Sequence, residues 1–147
     1  MILLDTSGLL SAIDASQRYH AECAAALSKA PPPLLLSPFV LAELDYLVSR
    51  HVGSVAQTAL LDEVARGAYQ LEPFDAGDVA AAKDVLARYP KLPIGLADAS
   101  LVVLAERHRT RDILTLDERH FRALRARGRK GFRLLPLDRW KATPPGS

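Results

Sequence analysis

An α/β fold, with a central, mostly parallel sheet of about five strands between two layers of helices, is what this 147-residue sequence predicts. Three observations carry the prediction. Short apolar runs such as Ile2-Leu3-Leu4 and Leu34-Leu35-Leu36 do not alternate with polar residues, which marks strands buried on both faces. Longer segments of helical period separate them, so each strand leads through helices to a parallel strand by a right-handed crossover. The length suits one domain of ordinary size, about 100–150 residues. Residues 1–140 are assigned to that domain and residues 141–147 to a flexible tail.

The elements follow in order. Ile2-Leu3-Leu4 is the first strand, and Asp5-Thr6-Ser7-Gly8 can cap the helix that Leu9, Leu10 and Ile13 continue. A second helix is expected from Ser16 to Ser28, stopped by Pro31-Pro32-Pro33 ahead of the strand Leu34-Leu35-Leu36. Ser37-Pro38 fits an N-cap with proline at the first helical position; this helix runs to His51, and Gly53 separates it from another over 54–66. Residues 69–72 read as a weaker edge strand. Asp75, with Asp78 in the first turn, opens a helix closed at Tyr89-Pro90, and a further helix runs from Gly95 to His108. Ile113-Leu114-Thr115-Leu116 is a strand ending at Asp117, a helical turn carries His120 and Phe121, and residues 132–135 form the last strand.

With 49% hydrophobic and 24% charged residues, the chain falls outside the disordered and fibrous classes. Cys23 is the single cysteine, which excludes an internal disulfide and a cysteine-based zinc site and points to a reducing compartment. No charged leader opens the sequence, and no run approaches the ~20 apolar residues of a membrane span, so a cytoplasmic location away from membranes is expected. A net charge of +2 hides a polarity: residues 1–74 hold four Lys/Arg against eight Asp/Glu, and residues 75–147 hold fifteen against nine. Much of the excess lies in Arg107, Arg109, Arg111, Arg119, Arg122, Arg125, Arg127, Arg129, Lys130 and Arg133, a pattern that can attract phosphates or simply keep a surface solvated.

Ligands of open parallel sheets bind outside the carboxyl ends of the strands, where strand order reverses. Asp5 and Asp117 are expected at such ends, and Glu43 and Asp98 early in helices that begin at the same edge. Glu43 falls on the arc of Val40 and Leu44, with Asp45 pointing outward, so its carboxylate is expected to be dry and in need of a partner or a metal. Asp98 opens the nearly all-apolar helix 99–105 and should be dry as well. Each acid also has a plainer reading. Asp5 fits a helix cap, Asp98 a complement to a helix N-terminus, Asp117 ordinary loop chemistry, and Glu43 a side chain that reaches a backbone donor or the rim. Four gathered carboxylates repel one another, and oxygen donors favour Mg²⁺ or Mn²⁺ as the counter-charge. His20, His51, His108 and His120 lack paired metal-ligand spacing and read as isolated residues; His120, near Asp117, either contacts substrate or stacks on its neighbours.

Ile2-Leu3-Leu4-Asp5-Thr6-Ser7, Leu41-Ala42-Glu43-Leu44, Leu96-Ala97-Asp98-Ala99-Ser100-Leu101 and Leu114-Thr115-Leu116-Asp117-Glu118-Arg119-His120-Phe121, in this order and spacing, resemble the PIN-domain ribonucleases, especially the VapC-type toxins of toxin–antitoxin pairs. The resemblance spans nearly the whole chain. It implies a three-layer α/β/α fold and an Mg²⁺-dependent endoribonuclease, with Mn²⁺ as a substitute, that cleaves RNA by metal-activated water. It also implies a homodimer and a cognate antitoxin lying across the active-site groove. Asp5, Glu43, Asp98 and Asp117 carry over as the acidic quartet, Asp5 and Asp98 as direct metal ligands, and Thr6, Ser7 and Thr115 as substrate-binding hydroxyls. Many members have a further acid where this chain has Arg119, which leaves a second metal's coordination open.

Two rivals stand beside this reading. A haloacid-dehalogenase-like phosphohydrolase would use Asp5 as nucleophile, but position 7 is Ser7 where a second aspartate is needed, and no lysine stands near Asp98. A non-catalytic RNA- or protein-binding domain would keep the fold without needing any of the four acids.

Overall fold

The computed structural model describes residues 1–126 and 130–138. The expected tail at 141–147, the end of the 1–140 domain, and Arg127 and Arg129 of the basic run lie outside the described residues. The elements are β1 (Ile2–Leu4), α1 (Thr6–Ile13), α2 (His20–Lys29), β2 (Leu34–Leu36), α3 (Pro38–His51), α4 (Ser54–Ala65), β3 (Gln70–Leu71), α5 (Ala76–Arg88), α6 (Leu96–His108), β4 (Asp112–Leu114), α7 (Glu118–Phe121) and β5 (Arg133–Leu135).

The strands form one five-stranded sheet in the order β3-β2-β1-β4-β5, with every pairing parallel. Leu3 of β1 pairs with Leu35 on one side and Ile113 on the other, which fixes β1 at the centre. Side chains of β1 are fully buried, as its unbroken apolar run requires. The chain moves outward from β1 to β3, then returns to β4 and moves outward the other way. Right-handed crossovers therefore put α1–α4 on one face and α5 and α6 on the other. The reversal lies between β1 and β4, and a crevice opens there at the carboxyl ends of the strands.

Local chemistry sets most of the helix ends. Ser37 accepts a hydrogen bond from the Phe39 amide with Pro38 behind it, and Asp75 and Asp78 form a reciprocal capping box at the start of α5. Gly53, at φ 122°, makes the break between α3 and α4 in a conformation that L side chains rarely adopt.

Three expectations are corrected. The second helix begins at His20, because Asp14 accepts bonds from the Ser16 amide, the Ser16 hydroxyl and Gln17, and so holds these residues in a turn. β4 ends at Leu114, since the amides of Leu116 and Asp117 donate to the hydroxyls of Ser7 and Thr115 and the chain curls away from the sheet. His108 is not isolated. It pairs with the buried Glu72, which also takes a bond from Gln70 and lies 3.5 Å from Arg107, tying the end of α6 to the β3 edge. No helix among the described residues is long and apolar enough to cross a membrane.

Candidate active site

The crevice beside β1 is a cleft of about 560 Å³. Asp5, Glu43, Asp98 and Asp117 all line it, as do Thr6, Ser7, Tyr46 and His120. The four acids arrive from four elements. Asp5 stands between β1 and α1, Glu43 in the second turn of α3, Asp98 in the first turn of α6, and Asp117 at the N-terminus of α7. α3 and α6 are pinned together at their N-termini by a buried hydroxyl pair, Ser37 and Ser100, 2.7 Å apart, with Ser100 donating onward to the Ala97 carbonyl. That contact fixes Glu43 relative to Asp98.

Asp5 occupies the N-cap position of α1, but its side chain does not cap the helix. Its Oδ2 instead accepts the hydroxyls of Ser7 at 2.9 Å and Thr115 at 2.7 Å. Those hydroxyls in turn accept the Leu116 and Asp117 amides, so the loop after β4 polarises both donors toward one carboxylate oxygen. The Thr6 hydroxyl donates to Glu43 Oε1 at 2.8 Å. Each of the three hydroxyls expected to bind substrate is thus engaged with a carboxylate or its support. Thr6 and Ser7 line the cleft; Thr115 is fully buried and meets it only through Asp5 and Ser7.

Burial pushes the Asp5 carboxyl above its ordinary range, against the pull of the two hydroxyls, and the charge of Asp117 adds to the push. Burial and the Asp5 charge raise Asp98 to about 6, with His120 and the Gly95 backbone opposing. Among the described residues no Lys or Arg is paired with any of the four acids. Oxygen donors gathered in this way suit a hard divalent cation, which supplies the charge that the protein omits.

The expectation of a dry Glu43 is corrected. Glu43 is exposed, while the outward-assigned Asp45 is half-buried and accepts from Gln57 at 2.8 Å. The buried stripe of α3 is Val40, Leu44 and Val48; Glu43 stands at its edge, where the cleft leaves the helix uncovered. The basic run is corrected in part. Arg122 makes two bonds to Asp138 and Arg133 makes two to Asp112, so these charges serve internal pairs. His120 belongs to the site: its Nδ1 lies 2.8 Å from Asp117 Oδ2 and 3.8 Å from Asp98 Oδ2. Its spacing of three from Asp117 on a helical turn was the signal for it. Tyr46, three residues after Glu43, was legible by the same rule.

A metal-free protein in which Asp98 prefers its proton carries a stability signature. Because the folded pKa lies above the ordinary 3.8, this group's stabilising contribution is full below about pH 4 and is lost as pH rises through about 6. The Asp98 side chain is 21% exposed, so the contribution is about 1–3 kcal/mol. In chelator, Asp98→Asn is expected to melt higher than wild type at pH 7.5 and to lose that advantage at pH 4. An equal gap at both values would refute the assignment.

The family model for the PIN domain matches residues 2–127. The chain belongs to the PIN-domain family. A relative, Ribonuclease VapC26 of Mycobacterium tuberculosis, is 44% identical over 135 residues, which cover 92% of this chain and 100% of that protein. The crystal structure of VapC20 from the same organism, described as a sarcin-ricin loop cleaving toxin, matches with a TM-score of 0.76 over 82% of this chain and 92% of its own. At 21% identity that likeness concerns the PIN fold, and it agrees with the three-layer α/β/α arrangement. Membership in the PIN family removes the haloacid-dehalogenase-like rival.

Proposed function

We propose that this chain is a VapC-type, metal-dependent endoribonuclease in which Asp5, Glu43, Asp98 and Asp117 form the catalytic set, with Asp5 and Asp98 as direct ligands. The observation that carries the reading is the convergence of four carboxylates, without a Lys or Arg partner among the described residues, at the strand-order reversal of the sheet. PIN-family membership and the likeness to a named ribonuclease support the reaction class. Mg²⁺ is the expected ion, with Mn²⁺ as a substitute. Such an ion, when bound, polarises a phosphodiester and makes water nucleophilic near neutral pH.

The chain's own residues do the positioning. Ser7 and Thr115 hold Asp5 through one of its oxygens at the cleft wall. Thr6 holds one oxygen of the exposed Glu43, which orients water entering the cleft and accepts its proton. Thr6 and Ser7 also offer hydroxyl oxygens to substrate at the cleft wall, while Thr115 acts through Asp5. Asp117, fixed by the His120 amide on its Oδ1, completes the set.

The substrate is RNA with an unstacked base at the cut. Tyr46 is 57% exposed at the cleft, with the Arg50 guanidinium 5.5 Å from its ring centroid, a platform suited to stacking one base. Tyr46→Ala is expected to raise KM about tenfold, equivalent to about 1.4 kcal/mol, and to leave kcat within about twofold. Steady-state cleavage of a short RNA checks this; a loss confined to kcat would refute the stacking role. The same family reading gives a cytoplasmic homodimer and a cognate antitoxin that covers the cleft.

Cleavage of a total-RNA pool by purified protein, in Mg²⁺ against chelator and with Asp98→Asn as control, tests the whole reading. Discrete fragments that need both the metal and Asp98 support it. RNA binding without cleavage under any condition would establish the non-catalytic alternative.

A further inference from the structure

We infer that His120 is a nitrogen ligand to a divalent cation held together with Asp98 and Asp117, and that this centre therefore favours Mn²⁺ over Mg²⁺. The inference rests on the metal reading above, adds Asp117 and His120 to Asp98 as ligands, and shifts the preferred ion from Mg²⁺ to Mn²⁺. One donor atom from each of Asp98, Asp117 and His120 lies within 4.8 Å of the others. Adjacent donors around a six-coordinate ion with bonds of about 2.1 Å stand roughly 3.0 Å apart, and opposite donors roughly 4.2 Å apart. The separations of 2.8 Å to Asp117 and 3.8 Å to Asp98 agree with that span.

A second observation is independent of those distances. Both ring nitrogens of His120 are shielded from solvent, yet neither has a hydrogen-bond partner among the described residues; the approach to Asp117 is close but lacks hydrogen-bond geometry. A polar group buried without a partner costs about 1–3 kcal/mol and calls for an explanation. A cation supplies the partner for Nδ1, the nitrogen that faces both carboxylates. The backbone reinforces the placement, since the His120 amide donates to Asp117 Oδ1 and turns the other oxygen toward the imidazole. An imidazole donor favours transition-series ions over Mg²⁺, which takes oxygen ligands.

Mn²⁺ added to the intact protein is itself the probe. Pulsed electron paramagnetic resonance is expected to show nitrogen coupling to bound Mn²⁺ in wild type and in the variant of the exposed, remote His51→Asn, and to show none in His120→Ala. Calorimetry is expected to show Mn²⁺ affinity falling about tenfold or more in His120→Ala, with a smaller loss for Mg²⁺. The wild-type spectrum decides the matter even if His120→Ala fails to fold. Mn²⁺ bound without nitrogen coupling, or Mg²⁺ bound without Mn²⁺, overturns the inference and leaves the carboxylate site standing, whereas binding of neither ion by wild type overturns the metal reading itself.

Discussion

Asp5→Asn is expected to lower metal-dependent RNA cleavage about a thousandfold while leaving the protein folded. An ion on a phosphodiester is worth several kcal/mol of transition-state stabilisation, and each 1.36 kcal/mol is a factor of ten. Asparagine keeps the shape and retains a carbonyl oxygen to accept the Ser7 and Thr115 hydroxyls, so the loop after β4 keeps its anchor. What disappears is a negative charge that is only 6% exposed and whose burial already favours the protonated form. The metal-free variant should therefore melt no lower than wild type at neutral pH. Initial rates in Mg²⁺ together with thermal denaturation in chelator check both halves, and wild-type cleavage by Asp5→Asn would end the assignment of Asp5 as a ligand.

The second large effect is on stability and comes from a residue without a side chain. Gly8 lies in α1 where the helix crosses β4, and a Cβ there would stand 2.5 Å from the Leu114 carbonyl oxygen and 2.6 Å from its carbonyl carbon. Intrinsic propensity alone favours alanine in a helix by about 1 kcal/mol. The contact decides the sign, because the obstructing atoms are backbone and cannot rotate aside. Separating α1 from β4 would strain the hydrogen bond that the Asp5 amide donates to the Leu114 carbonyl and disturb the hydroxyl contacts around Asp5. Gly8→Ala is expected to cost about 3 kcal/mol or more, at the upper end for overpacking. Gly95→Ala, whose Cβ meets nothing within 4 Å, should cost only the N-cap preference of glycine over alanine, about 1 kcal/mol. Denaturant unfolding of the two variants side by side measures the contrast; equal stabilities would show that α1 can lift off the strand at little cost.

Much of the site was readable because its positions follow from topology. Unbroken apolar runs at Ile2-Leu3-Leu4 and Leu34-Leu35-Leu36 can only be strands covered on both sides, and an acid after such a strand falls at the crevice. Glu43 shows where this logic stops. A helical wheel assigns an arc, but it cannot say where the covering layer ends, and the cleft leaves the side of α3 that carries Glu43 uncovered. The hydroxyl relay through Ser7 and Thr115 joins positions 108 residues apart, which no local pattern encodes. The turn held by Asp14 went unread for a different reason: the Ser16 and Gln17 contacts are side-chain chemistry that outweighs an otherwise helical periodicity.

The pairing of β1 with β4 also has a consequence for the timing of synthesis. β1 leaves the ribosome well before one of its two neighbours, which begins at residue 112, and the fourth acid comes after that. Contacts so distant in sequence form late and slow folding. A nascent chain stalled before Asp117 carries Asp5, Glu43 and Asp98 but lacks part of the cleft lining, so the nuclease reading expects it to be inactive. Under the nuclease reading, the activity cannot appear before Asp117 has been made and β4 has joined β1.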